Sequence, residues 1–86
     1  MMSEVRIGQV VKYYSRLGVA VVELTGDPLR LGDIIRVRGA TTDFEQPVES
    51  MQIEHARVNQ AEAGQCVALQ VIAKARLHDV VYKLTM

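Results

Sequence analysis

Few side chains of this sequence could do chemistry, and none has the spacing of a catalytic or metal-binding motif. His78 stands beside Asp79, a pair that could exchange a proton, but no nucleophile or third member accompanies it. Cys66 is the only cysteine, and with His55 and His78 it gives no zinc-ligand spacing. We therefore predict a protein that is not an enzyme and needs no metal or cofactor. Both histidines are expected to be exposed, and Cys66 is expected to be a buried small hydrophobe.

The basic residues are the side chains that suggest a binding function. Arg36 and Arg38 alternate along one predicted strand, while Lys12, Tyr14 and Arg16 lie along another strand and its following turn. On outward faces brought together by the fold, these five would form a cationic strip with an aromatic ring, which suits phosphate and base contacts. The other interpretation is that alternating cations only keep an exposed strand soluble. The ten basic and ten acidic residues cancel, so no overall field favours a polyanion.

Short apolar runs separated by glycine, proline and polar residues predict an all-β fold. At 86 residues the chain can form one domain, covering positions 1–86. Its composition, 49% hydrophobic but only 5% aromatic, describes an aliphatic core and favours strands. We expect six or seven strands, and at most one helical turn near 61–63. The main strands are predicted at 5–14, 19–24, 34–39, 44–55, 66–72 and 80–84.

Alternation with a period of two predicts which side chains fill the core. Ile35 and Val37 are expected to face inward, and Met51 is interpreted as core filling. Pro47 should lie at an edge or a bulge, because it cannot donate a ladder hydrogen bond. In the first strand the predicted inward face consists of Val5, Ile7, Val11 and Tyr13, with Arg6, Val10, Lys12 and Tyr14 on the other face.

The turns and bends are expected to depend on glycines and aspartates. Inside a strand, a glycine such as Gly8 indicates a bulge or a close backbone approach. The sequence RLGDII at 30–35 is matched in type by RLHDVV at 76–81, except at the third position. In each copy the aspartate can accept hydrogen bonds from turn N–H groups, so two strands should begin in equivalent ways. The residues predicted to shape turns are Gly8, Gly18, Gly32, Asp33, Gly39, Gly64 and Asp79.

Several of these segments form a known pattern. It begins with IGQV at 7–10, GVAV at 18–21 and LRLGDII at 29–35, and continues through 39–44, 48–53, 61–65 and 79–82. In this pattern the chain resembles the β-barrel domain 2 of translation elongation factor Tu, over nearly its whole length. It looks most similar to stand-alone small proteins called elongation factor Tu-like, and a similar module is appended to collagenase-like peptidases. The resemblance implies a small closed antiparallel Greek-key barrel of six or seven strands.

The resemblance also implies a function in binding. Its first implication is contact with tRNA, ribosomal RNA or another translation component through the cationic strip. The alternative is a protein-interaction or accessory module, acting in trans or as in collagenase-like peptidases, with no nucleic-acid role. Fold alone does not decide between them. We expect no GTP binding by this chain itself, because no G-x-x-x-x-G-K-[ST] motif is present.

One position departs from the family pattern. His78 stands where the family's closing turn carries glycine, so either the turn changes shape or His78 adopts a left-handed conformation.

The N-terminal residues do not resemble a signal peptide, and no apolar run approaches the roughly 20 residues of a membrane span. A single cysteine suits a reducing interior. We therefore expect a soluble cytoplasmic protein without a membrane partner.

Overall fold

The computed structural model describes residues 3–85, and their regular structure consists of β-strands. These are β1 (Ser3–Tyr14), β2 (Val19–Leu24), β3 (Leu29–Arg30), β4 (Ile34–Arg38), β5 (Asp43–Pro47), β6 (Met51–Ile53), β7 (Ala56–Arg57), β8 (Gln60–Ala61), β9 (Cys66–Gln70) and β10 (Val80–Thr85). The all-β prediction is confirmed. Within residues 3–85 no helix has the length and hydrophobicity that crossing a bilayer requires.

Eight of these strands form one antiparallel sheet. Their order is β5-β4-β10-β1-β2-β9-β6-β7, and β3 pairs with β8 in a second, two-stranded sheet. The long strand β1 lies centrally and pairs with both β10 and β2. The pairing ladder runs from β5 at one edge to β7 at the other, and no pairing among residues 3–85 joins those edges into a closed cylinder.

A buried side-chain amide nevertheless links edge strand β5 to the chain around the end of β9. Gln46 donates from Nε2 to the Gln70 carbonyl oxygen at 2.8 Å and accepts at Oε1 from the Ile72 N–H at 2.7 Å. Gln46 is only 5% exposed, so this amide is satisfied away from water. Four strands separate β5 from β9 in the sheet order. The sheet must therefore curl until its first edge meets its sixth strand.

The inner face of the curled sheet encloses one aliphatic core. Outward and inward positions alternate along β2 and β9, as a half-buried strand requires. Ile35 and Val37 are buried on β4 and Met51 is buried on β6, which confirms three core predictions. The fully buried large side chains are Ile7, Leu24, Leu29, Ile35, Met51, Leu69, Val10, Val22, Val37, Val67 and Val81.

Strand β1 departs from simple alternation, because its register shifts twice. The shifts lie between positions 6 and 8 against β10, and between 10 and 12 against β2. Ile7 and Val10 are both fully buried, whereas Val11 is 37% exposed. The predicted inward position of Val11 and outward position of Val10 are therefore wrong, because an extra residue at a bulge reverses the faces that follow. Gly8 does make the predicted close approach, since a Cβ there would overlap the Glu23 carbonyl oxygen.

Two other segments differ from the predicted strands. The single strand expected over 44–55 is divided into β5 and β6 by the irregular segment 48–50, and the turn at 54–55 ends β6. The division follows Pro47, which ends an edge strand as expected, and the Val48 N–H donates to the Asp33 carbonyl at 2.8 Å. The helical turn allowed near 61–63 does not form. Ala61 instead belongs to β8 and is fully buried.

The two related turns at 30–33 and 76–79 have the same local structure. In each, the aspartate Oδ2 accepts from the arginine N–H three residues earlier, at 2.9 Å for Asp33 and 2.8 Å for Asp79. The third position is left-handed in both, with φ of 92° at Gly32 and 73° at His78. The equivalent beginnings of β4 and β10 are confirmed, as is the left-handed alternative for His78.

This repeat places a local pseudo-twofold axis in the sheet. Strands β4 and β10 pair antiparallel, and Arg36 lies opposite Tyr82. These positions are 46 apart (82 minus 36), the same spacing as between the two turns (76 minus 30). The Arg36–Tyr82 pair therefore lies on the axis, with one turn at each end of the two-stranded ladder.

Candidate functional site

The outer face of β4 carries an ion-pair cluster. Arg36 Nη1 lies 3.1 Å from Glu4 Oε1 and 3.4 Å from Glu45 Oε1, and Arg36 Nε lies 2.8 Å from Asp43 Oδ1. Arg38 Nη2 shares Glu4 at 3.3 Å. Three carboxylates thus surround two guanidinium groups. Arg36 and Arg38 are outward-facing as predicted, but their positive charge is neutralised by carboxylates of the adjacent strand β5 and of β1, which lies one strand further away.

The ion-pair cluster lies at the surface, and its hydrogen bond shifts the pKa values of both partners. The hydrogen bond from Arg36 lowers the pKa of Asp43, and the same bond raises the pKa of Arg36. The Asp43 side chain is 56% exposed, so water and salt screen the interaction. The Arg38 guanidinium also lies 5.6 Å from the Tyr82 ring centroid. These contacts connect strands to each other and leave little of Arg36 for a ligand.

The other three predicted site residues lie apart from this cluster, at the β1–β2 hairpin. Lys12 Nζ lies 5.2 Å from the centroid of the Tyr14 ring. Tyr14 and Arg16 line a shallow depression together with Leu17. Neither Lys12 nor Arg16 has a carboxylate within salt-bridge distance among residues 3–85. The predicted five-residue strip is thus divided into a hairpin group and a neutralised β4 group.

An apolar trough lies on the outer face of β2 and β9, next to the hairpin. Its floor is formed by Val19, Val21, Cys66 and Ala68, one wall by Tyr14 and Leu17, and the other wall by Gln52, Glu54 and His55. We call this surface the β2–β9 trough. Leu17 is 66% exposed and Tyr14 is 40% exposed. The surface therefore presents aliphatic and aromatic groups to solvent between the β1–β2 and β6–β7 hairpins.

Sequence reasoning did not identify this trough, although one signal for it was present. The run VAVVE at 19–23 is apolar at four consecutive positions, and both faces of a strand cannot point into one core. Val22 faces the core, so the outward-pointing Val19 and Val21 must lie on the other surface. An apolar run of this kind indicates either a second buried layer or an exposed apolar patch.

The cysteine and histidine predictions have different outcomes. Cys66 is exposed, so its predicted burial is wrong. Val67 and Leu69 occupy the inward positions of β9, and alternation turns Cys66 outward. His55 and His78 are exposed as expected.

His55 and Cys66 both line the β2–β9 trough, but the described hydrogen bonds do not join them. No three His, Cys, Asp or Glu side chains within residues 3–85 are grouped to hold a metal ion. Asp79, the neighbour of His78, is 5% exposed and directs Oδ2 to the Arg76 N–H of its own turn. The described residues therefore do not bring a nucleophile and a base together in one hydrogen-bonded pair.

The chain is similar to one part of several longer proteins. It is 37% identical over 81 residues to a collagenase of Porphyromonas gingivalis, covering 93% of this chain and 20% of that protein. It is 40% identical over 82 residues to an uncharacterized protease of Methanocaldococcus jannaschii, covering 94% of this chain and 20% of the relative. The chain thus spans about a fifth of the length of these relatives. No family model matches the sequence.

A solved structure shares the fold. The C-terminal domain of a Geobacillus thermoleovorans protein, described as a U32 peptidase, superimposes with a TM-score of 0.84 at 23% identity. The match covers 91% of this chain and 90% of that domain. These similarities favour the alternative expectation, an accessory module as in collagenase-like peptidases. They give no support to the translation role.

Proposed function

We propose that this chain is a non-catalytic accessory module that works together with a peptidase. The observation that carries the proposal is that nearly the whole chain aligns with about a fifth of a collagenase and of a protease. A segment of that size is large enough to fold as a separate unit within the longer relatives.

The finer architecture belongs to the same proposal. We infer that the curled sheet is a closed Greek-key barrel of the elongation factor domain 2 type, completed by side-chain contacts where backbone pairing stops. The Gln46 amide that joins β5 to the end of β9 supports this closure. The single contiguous core inside the sheet is also typical of a small barrel filled by its own side chains.

A reconstitution experiment tests the accessory role. The P. gingivalis relative is prepared without the region that matches this chain, and the present chain is then supplied in trans. We expect the two proteins to associate in calorimetry, and we expect kcat/KM on a polypeptide substrate to rise, while this chain alone hydrolyses nothing. No association together with an unchanged kcat/KM would refute the proposal. Val22→Asp protein, which we expect to be unfolded, serves as the inactive control.

RNA contact is a second candidate, favoured by the hairpin group alone. Lys12 and Arg16 flank Tyr14 without a carboxylate partner among residues 3–85. Binding through them would weaken with salt, as counterion release requires. Titration with tRNA at roughly 50 and 200 mM salt distinguishes the candidates. Salt-dependent binding that is lost in a Lys12→Ala, Arg16→Ala double variant, but kept in Arg36→Ala, would favour RNA. Absence of such binding would exclude it.

A further inference from the structure

We propose that one end of the molecule, formed by residues 11–18 and 72–78, docks on the surface of an anionic lipid bilayer. We call this surface the cationic end. Its exposed aliphatic side chains would enter the boundary between headgroups and acyl chains, while its cations contact the headgroups. The proposal goes beyond the accessory role. It also replaces the expectation of no membrane partner, because that expectation considered only signal peptides and segments able to span a bilayer.

Two backbone hydrogen bonds hold the connection between β9 and β10 beside the β1–β2 hairpin. The Val71 N–H donates to the Gly18 carbonyl at 2.9 Å, and the His78 N–H donates to the Val10 carbonyl at 2.8 Å. Val10 lies opposite Val22, which is four residues (22 minus 18) from Gly18. The two contacts are therefore about 13 Å apart along the hairpin. The connection thus lies alongside the hairpin, and both belong to the same end of the molecule.

The most exposed large hydrophobic side chains of residues 3–85 lie at this end. Ile72 is 74% exposed, Leu17 is 66% exposed and Leu77 is 56% exposed. Leu17 belongs to the turn between β1 and β2, and Ile72 belongs to the bend that follows β9. Tyr14 adds an exposed phenol ring. Leucine and isoleucine are stabilised at the acyl boundary of a bilayer, and tyrosine favours the headgroup level, so these groups suit shallow insertion.

The same two segments carry cations without carboxylate partners. The sequences 10–22 and 66–78 contain no aspartate or glutamate. No carboxylate among residues 3–85 lies within salt-bridge distance of their four cations. These are Lys12, Arg16, Lys74 and Arg76.

Two carboxylates mark the borders of the surface. Glu54 lies on the far wall of the β2–β9 trough, and Glu49 lines a cleft together with Ile72. The chain as a whole has a formal charge of zero. The four unpaired cations nevertheless make this end locally positive, as attraction to anionic headgroups requires.

This combination of groups favours a bilayer over a nucleic acid or an acidic protein. Phosphate and base contacts use cations and aromatic rings, and they would leave Leu17 and Ile72 in water. Interfaces between proteins are depleted of lysine, whereas two of these four cations are lysines. Lysine is a flexible point charge that can follow mobile headgroups without a fixed partner geometry. A fluid anionic surface therefore uses both the aliphatic and the cationic side chains.

The cationic end faces away from the described chain ends. Ser3 pairs with Thr85 at one end of β1, and Tyr14 lies at the other end of this 12-residue strand. At about 3.3 Å per residue, roughly 35 Å of strand separates the two ends. Polypeptide joined at Ser3 or Thr85 would therefore meet the domain far from the cationic end and leave it free to reach a membrane.

The two related turns supply a matched pair of variants. Arg76 and Leu77 occupy the first two positions of the turn at the cationic end. Arg30 and Leu31 occupy the same positions of the turn at the other end of the β4–β10 ladder. A double variant Arg76→Ala, Leu77→Ser thus removes a cation and an exposed leucine from the proposed surface. Arg30→Ala, Leu31→Ser removes the same groups from the opposite end.

Co-sedimentation of the full chain with vesicles tests the proposal. The vesicles are an equimolar mixture of phosphatidylserine and phosphatidylcholine, and vesicles of phosphatidylcholine alone are the control. We expect binding to the anionic vesicles only, weakened by added salt. Arg76→Ala, Leu77→Ser and a second double variant, Leu17→Ser, Ile72→Ser, should each weaken binding by roughly fivefold or more. Arg30→Ala, Leu31→Ser should bind as the unaltered protein does. Circular dichroism checks that each variant is folded, and centrifugation without vesicles checks that none sediments alone.

Several results would overturn the proposal. One is the absence of binding to the anionic vesicles, and another is an equal loss of binding in the two turn variants. Full binding by Leu17→Ser, Ile72→Ser would also overturn it, because the aliphatic side chains would then not insert. Salt-dependent binding to tRNA without binding to vesicles would assign the same cations to RNA. Association with the truncated peptidase that is lost in Leu17→Ser, Ile72→Ser, again without vesicle binding, would assign this end to a protein contact.

Discussion

In the β4–β5 ladder, Arg36 lies opposite Glu45 and Arg38 lies opposite Asp43. Cross-strand neighbours of opposite charge attract each other, and here Glu4 of β1 adds a third carboxylate. An arginine that faces outward is therefore not automatically available to a nucleic acid. At the residue scale, the availability of a cation depends on side chains that reach it from other strands, including β1 beyond the adjacent β10.

The Asp43 carboxylate gives the first prediction. Arg36 lowers its pKa, so the stabilisation is fully present above the unfolded-state pKa of about 3.9 and is lost as pH falls through the lower folded-state pKa. Arg36→Ala should return the pKa of Asp43 toward its ordinary value, as measured by carboxyl NMR titration. Arg30→Ala is the matched control, because Arg30 bonds to Gln60 and not to this cluster. An unchanged Asp43 titration in Arg36→Ala would contradict the assignment.

At the scale of elements, the two related turns show that different residues can form the same backbone conformation. Both turns use an aspartate to fix the arginine N–H, and both require a left-handed third residue. Gly32 adopts that conformation without a Cβ penalty, whereas His78 does not. His78 lies two residues before β10, whose inward Val81 is fully buried.

Exchanging the residues at the third position tests this interpretation. His78→Gly should raise the free energy of unfolding by up to about 1 kcal/mol, because relief of the left-handed strain outweighs the added chain entropy. Gly32→His should lower it by a similar amount. Urea denaturation measures both changes. Destabilisation by His78→Gly would mean that the imidazole makes a contact that offsets its strain.

The Gln46 amide is the second feature that acts at this scale. Gln46→Ala should lower the free energy of unfolding by about 1–3 kcal/mol, because it leaves the Gln70 carbonyl and the Ile72 N–H without their partner. Gln52→Ala, at an exposed position on β6, is the control and should change stability by less than about 0.5 kcal/mol. Equal urea midpoints for the two variants would show that the contact between β5 and β9 does not stabilise the curled sheet.

At the scale of the whole molecule, one strand faces two different environments. Val22 is 1% exposed in the core, and its neighbour Val21 lies on the floor of the β2–β9 trough. The curled sheet therefore has an apolar interior and also an apolar patch outside. The first stabilises the fold, and the second lies on the outer surface.

An aspartate at each of these adjacent positions separates the two roles. Val22→Asp buries an unpaired charge and should cost more than about 3 kcal/mol, enough to unfold a small domain. Val21→Asp should remain folded by circular dichroism, because Val21 lies on the outer face of β2. A folded Val22→Asp protein would contradict the described core. An unfolded Val21→Asp protein would show that the trough floor is structural.

Local chemistry was sufficient to predict several elements from the sequence. The bounds of β2, the inward positions of Ile35 and Val37, and the paired turns at 30–33 and 76–79 all follow from alternation and turn residues within a few positions. These features depend on neighbours in the chain, which the sequence displays directly.

Other features depend on which strands become neighbours, and only the tertiary structure decided them. The bulges that expose Val11, the carboxylates around Arg36 and the Gln46 contact between β5 and β9 all depend on long-range register. The exposure of Cys66 depends on which face of β9 meets the core. Alternation along a strand shows that the strand has two faces. The pairing of distant segments determines whether each face contacts the core, side chains of other strands or solvent.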